Sequence, residues 1–352
     1  MILNARSPYF ISINETGQIG SKLELFIWVG TGSAPATATY TFTKPVASSA
    51  QIENTYNINS FVAEFINAIK PADATTQLWV NVTVKRYKEV TAGSYTLLDT
   101  VNHTGVNGYN DYSGGYNQTP SNSNFLVMAN PNIELQYLEG TNYDINVYAN
   151  LTSGNSISLV YNDLGGGNVS TDTYTTLGKA IIKVPITKAI AGYSKGNYLA
   201  VKYFVGGSLT ETKTFLVKPI CEPKYTPVAC NFINRFGGWQ RLNFFKAQTN
   251  SITTQGTKYN VAQASVNYNI SIGKTKVINK NGNKLVSLNT GFVNQNYSDL
   301  IEDLLLSDTI LLDGKPALVK SEAIELKSAL NNKNINYEIL FEYSFDLINN
   351  VV

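Results

Sequence analysis

Apolar and polar positions alternate along most of this chain, the mark of strands that bury one face. Leu23, Leu25, Ile27 and Val29 share one side of a segment whose other side carries Phe26 and Trp28. A strand apolar on both faces belongs in the middle of a sheet or beneath a second layer. Leu78, Val80, Val82 and Val84 alternate with Trp79, Asn81, Thr83 and Lys85, which predicts a half-buried strand. A turn at Gly93 then leads into residues 95–98 and closes a hairpin. One helix interrupts this region: Ile58, Phe61, Val62, Phe65, Ile66 and Ile69 form a single apolar stripe. Asn57 or Asn59 is placed to cap it, and Pro71 to end it.

Strand patterning resumes at Ile145, Val147 and Ala149, turns at Gly165-Gly166-Gly167, and returns at Ile182, Val184 and Ile186. Residues 198–205 and 209–217 flank Gly206-Gly207, a hairpin signal. The most informative stretch is 226–246, where two alternating strands flank Gly237-Gly238 and the second opens on Trp239. Beyond it Val266, Tyr268, Ile270 and Ile272 alternate, and Asn281-Gly282 predicts a tight hairpin between 275–278 and 284–288. A short helix is expected over 298–306, capped by Ser298, with Asp299 and Glu302 at its positive end and Leu300, Ile301, Leu304 and Leu305 facing the core. Asp313-Gly314 predicts another hairpin, and in the last strand Ile335, Tyr337, Ile339, Phe341, Tyr343 and Phe345 point one way.

These elements predict a mainly β fold of tandem immunoglobulin- or fibronectin-like sandwich modules, plus a C-terminal β-rich domain with one or two short helices. The expected divisions are 1–125, 126–220 and 221–352. Ser7-Pro8-Tyr9-Phe10-Ile11 and Asn130-Pro131-Asn132-Ile133-Glu134 open the first two regions alike and hint at duplicated modules. Residues 105–124 are polar and aperiodic, and read as a linker, a disordered tip or a binding loop. Within them Tyr109, Tyr112 and Tyr116 can stack on a partner or a sugar.

Composition narrows the function. At 352 residues the chain exceeds one ordinary core. Only 15% of residues are charged, so uncharged polar groups must cover the surface. A net charge of +2 argues against nucleic-acid binding; residues 274–284 are the most basic stretch and read as a solvated hairpin. No run approaches the ~20 apolar residues of a membrane span. The first residues lack a charged-then-apolar signal, so assembly in a cytoplasm without export by the general secretory route is expected.

Reactive chemistry is sparse. Cys221 and Cys230 either pair across a loop or stay as packed thiols, and two cysteines with a single histidine argue against a four-ligand zinc site within one chain. That histidine, His103, lies in a polar stretch beside the insertion and reads as an exposed loop residue. Gly165-Gly166-Gly167 lacks a following Lys-Ser/Thr, and Glu302 and Asp303 are adjacent and diverge on a helix. Asp111 has asparagine neighbours but no calcium-loop spacing. No catalytic, cofactor-binding or metal-ligating residue is assigned.

Four segments carry a family resemblance: Ser7-Pro8-Tyr9-Phe10 leading to Leu23-Glu24-Leu25-Phe26-Ile27-Trp28-Val29-Gly30, then residues 57–66, residues 232–240 (Phe-Ile-Asn-Arg-Phe-Gly-Gly-Trp-Gln), and residues 335–345. Together they resemble structural proteins of tailed phages that infect Bacteroidetes, the crAss-like group above all. The resemblance implies a non-enzymatic virion component, a ring-forming tail hub or distal-tail protein that contacts copies of itself and neighbouring tail proteins. A head-decoration or fibre protein of the same virion, or a carbohydrate-binding adhesin using loop 105–124, are the rival readings. Large aromatics outnumber what one thin sandwich can hide, so Phe26, Trp28, Trp239, Tyr109, Tyr112 and Tyr116 are the candidate contact residues.

Overall fold

A computed structural model describes residues 1–48, 50–68, 79–131, 133–187, 197–220, 223–261, 271, 273–321, 323–326 and 335–348. The chain opens with β1 (Ile2–Asn4), β2 (Phe10–Ile13), β3 (Gly20–Trp28), β4 (Tyr40–Pro45) and β5 (Asn54–Asn57). Helix α1 (Asn59–Ala68) follows, then the hairpin of β6 (Trp79–Thr91) and β7 (Ser94–Val106). Five of these strands form a sheet in the order β1-β7-β6-β3-β4, which flanks β3 on both sides as its two apolar faces required. The paired β2 and β5 and helix α1 contribute Ile13, Tyr56, Val62 and Ile66 to one core with Leu25 and Val82. Neither proposed cap closes α1: Asn57 accepts from the Tyr9 amide and Asn59 donates to the Ala5 carbonyl. Ile69, Pro71 and Leu78 fall outside the described residues.

β6 corrects the half-buried expectation. Val80, Val82 and Val84 are buried, but so are Trp79, Asn81 and Thr83 on the other face. Residues from much later in the chain cover that side: Tyr148 packs edge-on to Trp79 at 6.1 Å, and the Lys179 ammonium donates to Asn81 Oδ1 at 2.6 Å.

The next strands are β8 (Phe125–Val127), β9 (Glu134–Leu138), β10 (Asp144–Leu151), β11 (Asn155–Asn162), β12 (Asn168–Tyr174), β13 (Gly178–Pro185), β14 (Asn197–Val205) and β15 (Ser208–Ile220). They form a sandwich of a three-stranded sheet, β13-β10-β8, and a five-stranded sheet, β12-β11-β14-β15-β9. Alternate residues of both sheets, among them Ile145, Val147, Leu159, Val201 and Phe215, share one core. Gly206 and Gly207 have φ of 58° and 81°, the backbone that a two-residue hairpin turn needs. In both regions an early strand runs parallel to the last one, β1 beside β7 and β9 beside β15.

The remaining strands are β16 (Val228–Ile233), β17 (Trp239–Phe244), β18 (Thr249–Asn260), β19 (Thr275–Asn289), β20 (Ile310–Leu312), β21 (Lys315–Val319) and β22 (Glu338–Asp346), with α2 (Tyr297–Leu305) before β20. They form a seven-stranded sheet ordered β17-β16-β20-β21-β22-β19-β18. The chain divides into two compact units. One comprises Met1–Cys221, Phe232–Arg241 and Asp299–Ser307; the other holds Glu222–Asn231, Leu242–Ser298 and Asp308–Val352. The fold is therefore mainly β and rich in sandwiches, with two short α-helices among the described residues.

Three local expectations are corrected here. Asn281-Gly282 is not a turn: β19 runs straight through it, paired to β18 from Ser287 opposite Thr249 to Thr275 opposite Asn260. The ladder shifts between Gln255 and Thr257, and the irregularity places Asn279 at a φ of 52°. Within the strand only glycine fits at 282, since a Cβ there would lie 2.6 Å from the Thr253 carbonyl oxygen. Ser298 is no cap; α2 starts one residue earlier, and Ser298 donates its amide to Gln295. The face of β22 holds only as far as Phe341, and Phe345 is 69% exposed. Val266, Tyr268, Ile270, Ile272 and Cys221 lie outside the described residues. Cys230 is a free, fully buried thiol, and burial, then the Asp313 charge, pushes its pKa up.

Candidate interaction surface

The hairpin of Phe232–Arg241 is built around one side chain. Asn234 is fully buried; its Oδ1 accepts from the amides of Phe236 (3.0 Å) and Gly238 (3.1 Å). Its Nδ2 donates to the Met128 carbonyl (3.0 Å) and to Gln240 Oε1 (2.7 Å). The two glycines allow close approach. A Cβ on Gly237 would sit 2.8 Å from the Asn107 amide nitrogen, and one on Gly238 would sit 2.4 Å from Met128 Cβ.

This turn aims Arg235 at a buried carboxylate. Asp303, on α2, is wholly inaccessible to solvent. It accepts from Arg235 Nε at 2.6 Å, from the Tyr109 hydroxyl at 2.9 Å and from Asn130 Nδ2 at 2.8 Å. A buried charge is tolerable only when paired and hydrogen-bonded like this. Burial, and then the Asp303 charge, raises the Tyr109 pKa. The Arg6 guanidinium lies 4.9 Å from the centre of the Tyr109 ring. Beside this cluster is a cleft of about 360 Å³ that includes Asn4, Asn110, Gln118, Phe236 and Glu302 in its wall.

The six aromatic candidates therefore have different environments. Tyr109 is tied into the Asp303 cluster, Trp239 is buried, and Phe26 is buried with the Lys85 ammonium 4.6 Å from its ring centre. Trp28 is half-buried and donates from Nε1 to the Gly32 carbonyl at 2.8 Å. Tyr112 and Tyr116 face solvent, 93% and 67% exposed. The loop that carries them is fastened by Asn117, which accepts from the Phe10 amide and donates to the Phe10 carbonyl. Asp111 accepts from the Ser113 amide and caps a short 3-10 turn, Tyr112–Gly114.

His103 corrects another expectation. It lies in β7 and is 3% exposed, with its ring edge-on to Tyr9 at 5.4 Å. Neither ring nitrogen has a hydrogen-bond partner among the described residues. Burial, and then the nearby amino terminus, lowers its pKa to about 4. The polar neighbours that suggested a loop occupy the end of a long strand whose inner side is roofed by Tyr9.

Sequence patterning missed the most exposed regular element. All twelve residues of β18 are exposed. It is the terminal strand of its sheet and pairs only with β19 among the described residues. The signal was present in its composition, Thr-Asn-Ser-Ile-Thr-Thr-Gln-Gly-Thr-Lys-Tyr-Asn, which has no apolar alternation to bury. Among the described residues no group of three His, Cys, Asp or Glu side chains is placed to hold a metal ion, and no helix is long and apolar enough to cross a membrane. No protein-family model matches the sequence, and no curated protein matches it.

Proposed function

We propose that this chain is a non-enzymatic structural subunit of a tailed-phage virion, a ring-forming tail-hub or distal-tail component that also docks neighbouring tail proteins. The observation that carries this reading is β18. Twelve consecutive strand residues stand exposed, and among the described residues one edge of the strand is unpaired, its backbone N–H and C=O groups open to a further strand. Beyond Asn283, where the pairing of β19 with β22 stops, β18 and β19 run on as a two-stranded ribbon among the described residues. Such a ribbon is marginal by itself in water, and a contact with another subunit would stabilise it. The four segments that resemble phage tail proteins add the virion setting, with assembly in the host cytoplasm. Low charge suits extended polar packing between subunits.

Native mass spectrometry and electron microscopy of the purified chain across a concentration series test the reading. Closed rings of one stoichiometry are expected, and a chain that stays monomeric at its highest soluble concentration overturns self-assembly. The exposure of Tyr112 and Tyr116 favours one second reading, a carbohydrate-binding adhesin. Glycan-array binding that disappears in Tyr112→Ala/Tyr116→Ala would establish it; Tyr109 is left intact because it serves Asp303.

A further inference from the structure

The ribbon of β18 and β19 is cationic without exception. No aspartate or glutamate lies between Glu222 and Asp299. Lys258, Lys274, Lys276, Lys280 and Lys284 all lie on or next to the two strands, and all are exposed. None of them has an ion-pair partner among the described residues. Apolar side chains stand between them: Tyr259, Val277, Ile278 and Ile252 are 42%, 48%, 45% and 59% exposed. The register puts Tyr259 opposite Lys276 and Thr257 opposite Ile278 on one face, with Lys258 opposite Val277 on the other. Lysines alone would serve to keep strands away from an open edge. Lysines interleaved with apolar groups on both faces make a contact surface with a charge preference.

The chain itself supplies the opposite sign. From Asp299 onward acids outnumber bases, and Asp308, Asp313, Glu325 and Glu338 are exposed in the same compact unit as the ribbon. Pairing two ribbons about a two-fold axis would bring lysines together, which opposes that arrangement. We propose that the ribbon of one copy docks head to tail on the exposed acids Asp308, Asp313, Glu325 and Glu338 of a second copy. Such a contact uses two different patches, and repeated around an axis it closes a ring. The inference rests on the self-assembly reading above and names its interface.

The test is a charge swap. The ribbon variant is Lys258→Glu/Lys276→Glu/Lys280→Glu; the acceptor variant is Asp308→Lys/Glu325→Lys. Circular dichroism confirms that each folds. Each alone should associate roughly 100-fold more weakly than the native chain, and native association should fall as salt rises to about 0.3 M. Mixed, the two variants should assemble, because every contact in an alternating ring then joins opposite charges. A ribbon variant that assembles with native affinity overturns the inference and leaves the self-assembly reading standing. A native chain that never associates overturns both. Duplex DNA bound by the native chain and lost in the ribbon variant, with assembly unchanged, would assign the ribbon to nucleic acid instead.

Discussion

Replacing Arg235 with alanine should cost more stability than any other single change at the surface of the first compact unit. Asp303 has no solvent access, and among the described residues Arg235 is the one cation bonded to it, through Nε at 2.6 Å. Alanine leaves the carboxylate buried with two neutral donors, Tyr109 and Asn130. Stranding a buried charge in this way costs about 3–5 kcal/mol. For a unit of this size, at about 2–4 °C per kcal/mol, the melting temperature should drop by roughly 6–20 °C. Tyr109→Phe removes a single hydrogen bond to the same charge and should cost about 1.5–3 kcal/mol. The decisive measurement is a double-mutant cycle by thermal or urea unfolding. In an Asp303→Asn background, where no charge is stranded, Arg235→Ala should lose at least ~2 kcal/mol of its effect. An Arg235→Ala cost below ~1 kcal/mol, or one unchanged by Asp303→Asn, would refute the ion-pair account.

Acid should weaken the fold through His103. Its folded pKa is about 4 against an ordinary 6.5, so the unfolded chain binds the extra proton first. That contribution is intact above pH 6.5 and lost progressively as pH falls toward 4, by about 1.4 kcal/mol per pH unit and ~3 kcal/mol in all. Melting temperatures of the native chain and His103→Phe over this range should diverge, and parallel curves would sink the assignment. Gly238→Ala sets a new Cβ 2.4 Å from Met128 Cβ and 2.5 Å from its carbonyl oxygen, and should cost at least ~2 kcal/mol. Gly32→Ala, with nothing within 4 Å of its added Cβ, should stay within ~0.5 kcal/mol in the same unfolding assay.

Elements specified by neighbours in sequence were legible before the structure. Helix α1, the Gly206-Gly207 and Asp313-Gly314 turns and the Gly237-Gly238 hairpin all depend on residues a few positions apart, and all are present. Elements specified by distant partners were not. Asn281-Gly282 carries a turn signature, yet β18 holds it extended, and only the opposing Thr253 carbonyl explains why glycine is needed. The polar face of β6 looked solvent-facing because Tyr148 and Lys179, which cover it, are far along the chain. Asp303 read only as a carboxylate diverging from Glu302 on a helix; its donors come from positions 109, 130 and 235. Of the candidate surface, the exposed tyrosines of the insertion and the solvated basic stretch 274–284 were foreseen, and the exposed strand β18 beside it was not.

The discontinuity of the first compact unit also bears on synthesis. Its last piece, Asp299–Ser307, supplies the carboxylate on which Tyr109, Asn130 and Arg235 converge. A nascent polypeptide that has reached residue 221 has both upstream sandwich cores but not this keystone. The ribosome must therefore deliver more than 300 residues before those side chains find their anion, and a gene cut at residue 221 would encode an unfinished body.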